Sequence, residues 1–187
     1  MARKRRLRGF LRSRSGATAV EFAIVAPVFL LLIFATFEVG WFYFVRSSVD
    51  SAISNSARLI RTGQAYKDGY TSQATRDTFL QNEVCRSLRY MPTGQCTNKT
   101  TVEVKTYASY AAMAADAGAI TCTDSVPAAI AAVPFDTGTD RSIIRIRICH
   151  IYKTLNPFIG FSLAKNAQGE RRIAASYVLR VEPDASK

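Results

Sequence analysis

The chain has 187 residues, a formal net charge of +11, 48% hydrophobic residues and four cysteines, which allows one ordinary domain plus an anchor and excludes two full domains. The charge is uneven: Arg3, Lys4, Arg5, Arg6, Arg8, Arg12 and Arg14 precede Gly16 with no acid among them, and these seven cations leave +4 for the rest. The basic balance therefore describes a tail, not a nucleic-acid-binding face, and no nucleic-acid partner is expected.

A basic run can be a nucleic-acid arm, a solvated tail or the inside flank of a membrane helix. Here an apolar stretch begins within a few residues of Arg14, so the excess of positive charge on the cytoplasmic side of membrane spans is the economical reading. It makes residues 1–16 a cytoplasmic leader and sends the rest of the chain outward. Phe22 to Val45, interrupted at Glu38, covers roughly 36 Å as helix, enough to cross a bilayer. The apolar core is too long for a cleaved secretory signal, and no small-x-small site follows it. Trp41, Phe42, Tyr43 and Phe44 crowd its far end, as an interfacial aromatic belt does.

Beyond the span, Val49, Ala52, Ile53, Ala57 and Ile60 recur at spacings of three and four among polar residues, which continues the helix with one apolar stripe. Gly63 supplies a stop. A helix over residues 17–62 would reach about 69 Å, and its outer half must pack on its own domain or on neighbouring copies.

Residues 63–187 read as an α+β domain. Leu80, Val84 and Leu88 predict a helix over Ser72 to Arg89. Thr101 to Tyr107 alternates as a half-buried strand. Residues 108–140, rich in Ala, Gly, Asp and Thr, read mainly as an irregular excursion. Ser142 to Tyr152 is a strand with Ile144, Ile146 and Ile148 facing one way and Arg145 and Arg147 the other. Asn156-Pro157 and Ala167 to Gly169 are turn signals. Arg172 to Val181 is a last strand, with Ile173, Ala175, Tyr177, Leu179 and Val181 on one side. An antiparallel sheet of about three strands laid against the long helix is the expected architecture.

All four cysteines, Cys85, Cys96, Cys122 and Cys149, follow the membrane segment, and they allow three pairings. Cys85 with Cys96 would close a short loop between the second helix and the first strand. Cys122 with Cys149 would tie the irregular excursion to the sheet. A metal site is not expected, since short paired Cys spacing is lacking and His150 points opposite to Cys149 along a strand. No cofactor is expected. An enzyme is not expected either: there is no HExxH, no GxSxG and no phosphate-cradling glycine loop, and an oxidising compartment would consume a free catalytic thiol.

The stretch Arg14-Ser15-Gly16-Ala17-Thr18-Ala19-Val20-Glu21-Phe22 carries the specific signal. An acid inside a membrane helix is costly, about 2.5–3.5 kcal/mol at the centre of a span; a carboxylate near the headgroups escapes much of that by reaching water. A basic leader, then Gly, four small or apolar residues, Glu and an aromatic resembles the cleavage site of type IV and Flp-type prepilins. The run from Gly16 through Pro27, with Glu38 at the far end of the span, resembles the TadE-like pseudopilins of the tight-adherence pilus system. Ala57 to Gln64 and the stretch from Asn156-Pro157-Phe158 to Glu182-Pro183 look similar to that family as well. Phe22 stands where major Flp pilins typically have Tyr, and the chain is far longer than they are, which favours the minor-pilin branch.

That resemblance implies a role. A prepilin peptidase would cut between Gly16 and Ala17. The partners would be other minor pilins, the major Flp pilin, inner-membrane platform proteins and inner-membrane lipid. Seven leader cations near an anionic leaflet resist extraction by roughly 7 kcal/mol, and one cut removes them. The new α-ammonium on Ala17 would pair with Glu21, in cis or between copies. Pro27 removes a helical hydrogen bond to Ala23, which is either a tolerated kink or a weak point that lets the helix stretch in a fibre. Glu38 sits about 100° around the helix from Glu21, with no cation one turn away. Its carboxylate either reaches the outer headgroups or meets another assembly component. An uncleaved membrane-tethered assembly or adhesion factor would share this architecture.

Overall fold

The computed structural model describes residues 16–155 and 170–183. The basic leader before Gly16 and the turn signals at Asn156-Pro157 and Ala167 to Gly169 lie outside the described residues. The layout is α+β. Helix α1, Ala17–Arg61, runs unbroken through Pro27 for about 68 Å. It ends where Thr62 and Gly63 donate amides to the carbonyls of Arg58 and Ile60. Gly63 takes the left-handed conformation (φ 72°), which glycine adopts without the Cβ clash other residues meet.

Strands β1 (Thr100–Tyr107), β2 (Ile143–Lys153) and β3 (Glu170–Arg180) form an antiparallel sheet in the order β1-β2-β3. The register sets Glu103 opposite Arg147, Val102 opposite Ile148 and Ile146 opposite Tyr177. On the helix side, Ile144, Ile146 and Ile148 of β2 and Ile173, Ala175 and Leu179 of β3 meet Val45, Val49, Ala52, Ile53, Ala57 and Ile60 of α1. The apolar stripe of the outer half of α1 is thus taken up by the chain's own domain. Phe79, Leu80, Val84 and Leu88 complete this core.

The expected helix over Ser72 to Arg89 is instead a composite: a 3-10 turn at Gln73–Thr75, α-helix at Arg76–Phe79, a π turn at Leu80–Val84 and α-helix at Cys85–Ser87. The wider π turn lets Val84 and Cys85, adjacent in sequence, both be buried. Leu88 then leaves helical geometry (φ −86°, ψ 59°). A further helix, Thr93–Lys99, lacks apolar periodicity and was not expected; it is pinned through Cys96. The excursion over residues 108–140 contains short helices at Tyr110–Ala115 and Pro127–Ala131. It also lays Phe135 beside Val104 in a parallel bridge. Tyr177, expected on the buried side of its strand, is 44% exposed; β3 lies at the sheet's edge, where one flank has no neighbouring strand.

Candidate functional site

The lower half of α1 is bare. Phe22, Ile24, Val25, Leu32 and Phe37 are among its exposed side chains, and nothing in the most apolar window is buried. Burial against the domain begins at Glu38. The free stretch from Ala17 to Phe37 spans about 31 Å as helix, the thickness of a bilayer's hydrocarbon core. It fits a single-pass membrane anchor.

At its start, Gly16 precedes the first helical residue with an ordinary φ of −80°. A Cβ built on Gly16 would meet nothing within 4 Å, so no contact among the described residues requires glycine there. Ala17 opens the helix without a side-chain cap. Glu21 is exposed on the first turns and has no hydrogen-bond or ion-pair partner among the described residues. Pro27 is exposed on the same bare stretch.

Glu38 behaves differently from what its sequence context suggests. Instead of reaching the outer headgroups, it is 1% exposed. Its carboxylate accepts a 2.7 Å hydrogen bond from Tyr152 Oη and is also bonded by the Leu155 amide at 3.0 Å. A buried carboxylate is tolerable only with such donors; these two come from Tyr152 in β2 and from Leu155 just beyond it. The Tyr152 phenol is pushed up from its ordinary value by burial and by its bond to Glu38.

The aromatic belt divides. Trp41 meets the Tyr90 ring edge-on at 5.9 Å, and Phe42 meets Tyr152 at 5.5 Å with the Arg171 guanidinium 5.0 Å over its face. Tyr43 and Phe44 stay exposed. The domain therefore stands on α1 through Glu38, Trp41 and Phe42, immediately above the membrane-length stretch.

Disulfides join Cys85 to Cys96 and Cys122 to Cys149. The second ties the excursion over residues 108–140 to the far face of β2. On that face, Arg147 donates to both carboxylate oxygens of Glu103 (2.6 and 2.7 Å), and Arg145 donates to Asp116 (3.0 Å). Lys105 and Tyr107 also bond Asp116. Lys105 and Tyr107 as donors, with the Gly118 amide, hold the Asp116 carboxyl well below its ordinary range. The Glu103–Arg147 pair joins β1 to β2, and the pairs of Lys105 and Arg145 with Asp116 fasten the excursion across the sheet.

His150 lies on the opposite face, 1% exposed, with Tyr90 Oη at 2.6 Å from Nε2 and Thr100 Oγ1 at 2.9 Å from Nδ1. Burial, assisted by Lys99, pulls its pKa down to about 4. Among the described residues no group of His, Cys, Asp and Glu is placed to hold a metal ion.

The partners of Glu38 escaped the sequence reading because they lie 114 and 117 residues away. One signal was available: Tyr152 shares the even-numbered face of β2 with Ile144, Ile146 and Ile148. The pairing of Glu103 with Arg147 had no local signal.

Comparison with curated proteins and with solved structures finds no match. Residues 16–58 match the family described as TadE-like protein, beginning at Gly16 and ending within the last turn of α1. The similarity to that family thus covers the segment that holds the bare membrane-length stretch and Glu38.

Proposed function

We propose that this chain is a minor pilin or pseudopilin that acts structurally in assembling a tight-adherence pilus, after a prepilin peptidase cuts the Gly16–Ala17 bond. The observation that carries the proposal is the TadE-like segment starting at Gly16, on a helix with a bare stretch of membrane length. The open surroundings of Gly16 support a demand for glycine from outside the fold, as recognition by a peptidase imposes.

In this reading the leader is cytoplasmic and the domain periplasmic. Cleavage removes the cationic retention of residues 1–16. The Ala17 ammonium then lies one helical turn from Glu21, which is exposed and open to a partner. Two unlike charges in a medium of low dielectric attract strongly, so their pairing, in cis or between copies, favours withdrawal of the helix into an assembly. The partners are other minor pilins, the major Flp pilin and inner-membrane platform proteins. The domain, standing on Glu38 and Trp41, is carried as a rigid extension of the rod.

The test is piliation. Cells lacking this chain should lose surface pili and recover them with the full chain but not with Gly16→Arg, and the platform proteins should co-purify with the cleaved form. Normal piliation without the chain would overturn the proposal.

A further inference from the structure

The end of the molecule far from the bare stretch of α1 gathers three arginines, of which Arg61 is paired with an acid, Glu182. Arg61 at the end of α1, Arg141 before β2 and Arg180 at the end of β3 surround one open concavity of about 470 Å³, rimmed by Val181, Glu182 and Pro183. Backbone bonds build this pole: the Glu182 amide donates to the Arg61 carbonyl and the Val181 amide to the Ser142 carbonyl. Arg180 Nε donates to the Arg141 carbonyl at 3.1 Å. Arg61 Nε meets the Glu182 carboxylate at 3.2 Å, with both side chains more than half exposed. The Arg141 guanidinium has no partner among the described residues.

Arg61 has an ordinary explanation, since cations at a helix C-terminus offset its negative dipole end. Arg141 does not. It is the non-glycine residue with a left-handed backbone (φ 63°) among the described residues. A bulky side chain there is uncommon, and glycine would hold the same turn without the strain. Among the described residues no side-chain partner of Arg141 offsets that strain, and such outliers concentrate at functional sites.

We infer that this pole docks an acidic segment of a protein partner, its carboxylates taken by Arg141 and Arg180 beside the carboxylate already seated on Arg61. The guanidinium fork matches carboxylate geometry, and exposed Pro183 gives an apolar edge suited to a peptide. The headgroups of the membrane around α1 are too far away: Phe37 to Arg61 is about 36 Å of helix, several times the screening length of about 8 Å at physiological salt. A phosphate polymer is disfavoured because its binding uses an extended cationic track, whereas these cations converge on one concavity. This inference is independent of pilus assembly, because the test reads binding by the full chain alone.

The test uses the full chain in non-ionic detergent, with fluorescein-labelled deca-glutamate and polyphosphate of equal charge as probes, read by anisotropy at physiological salt. The peptide should bind, and Arg141→Gln with Arg180→Gln should weaken it by about tenfold or more. The equally charged pair Arg86→Gln with Arg89→Gln, on another exposed surface, should change it less than about twofold. Arg141→Gly should raise Tm while weakening binding. Equal loss in both pairs, absence of peptide binding, tighter binding of polyphosphate, or a lower Tm for Arg141→Gly would overturn the inference.

Discussion

Tyr152 donates a 2.7 Å hydrogen bond to the Glu38 carboxylate across 114 residues of sequence, and this bond marks where the bare apolar stretch of α1 ends and the domain begins. Below Glu38, α1 presents bare apolar side chains; from it upward, Trp41, Val45 and Val49 pack into the domain. The domain is therefore held to the rod at its base, not suspended from a linker.

Removing either partner should loosen that base. Tyr152→Phe deletes one bond to a charged acceptor and should cost about 2 kcal/mol. Glu38→Ala leaves the phenol and the Leu155 amide unpaired and should cost about 3–4 kcal/mol. Denaturant unfolding in detergent measures both. A Glu38→Ala chain as stable as the parent would show that the carboxylate does not anchor the domain.

The sheet's far face gives a second prediction. Glu103 and Arg147 are directly opposed in register, and their side chains are 6% and 14% exposed. Glu103→Ala should cost about 3–5 kcal/mol by stranding Arg147, while Glu103→Leu combined with Arg147→Met should cost much less. A double-mutant cycle reads the difference. Additive single losses would show that the pair is not coupled.

Acid should weaken the fold through His150. Its folded pKa of about 4 lies below the ordinary 6.5, so as pH falls the unfolded chain takes up this proton first. The contribution is complete above pH 6.5, declines between pH 6.5 and 4, and changes no further below 4. It amounts to about 3 kcal/mol at most. His150→Gln should remove this part of the pH slope, seen as the difference between the two stability profiles. Parallel profiles would contradict it.

The disulfides should differ in weight. Cys122–Cys149 spans 27 residues and Cys85–Cys96 spans 11. Restriction of the unfolded chain alone gives about 3.5 and about 3 kcal/mol respectively. Paired Cys→Ser variants, compared by denaturant midpoint, should show the larger loss for the longer loop, and that variant should also free the excursion carrying Asp116.

The elements that were legible in the sequence carry strong periodicity. Val49 to Ile60 repeats at helical spacing, and Ile144 to Ile148 alternates, so α1, β1, β2 and β3 could be read with ends displaced by one or two residues. The helix at Thr93–Lys99 was not legible because its polar residues have no apolar period and its position depends on Cys96. The π turn at Leu80–Val84 was hidden because the apolar spacing resembles an ordinary helix.

At the candidate site, the apolar span could be read directly, because its signal lies in consecutive residues, while the roles of Gly16 and Glu21 remain part of the proposal. Glu38 could be located but not understood. A lone acid in an apolar run says only that some partner is needed, and that partner arrives from the end of β2 by tertiary folding. The arginine pole was equally hidden, since Arg61, Arg141 and Arg180 converge only when α1, β2 and β3 meet.

The most direct measurement is the intact mass and amino-terminal sequence of the chain recovered from cells with and without the prepilin peptidase. A chain beginning at Ala17 when the peptidase is present, and near Met1 when it is absent or when Gly16→Arg blocks the site, is the predicted result. A chain beginning near Met1 in every case would contradict processing and leave a permanently tethered membrane factor in its place.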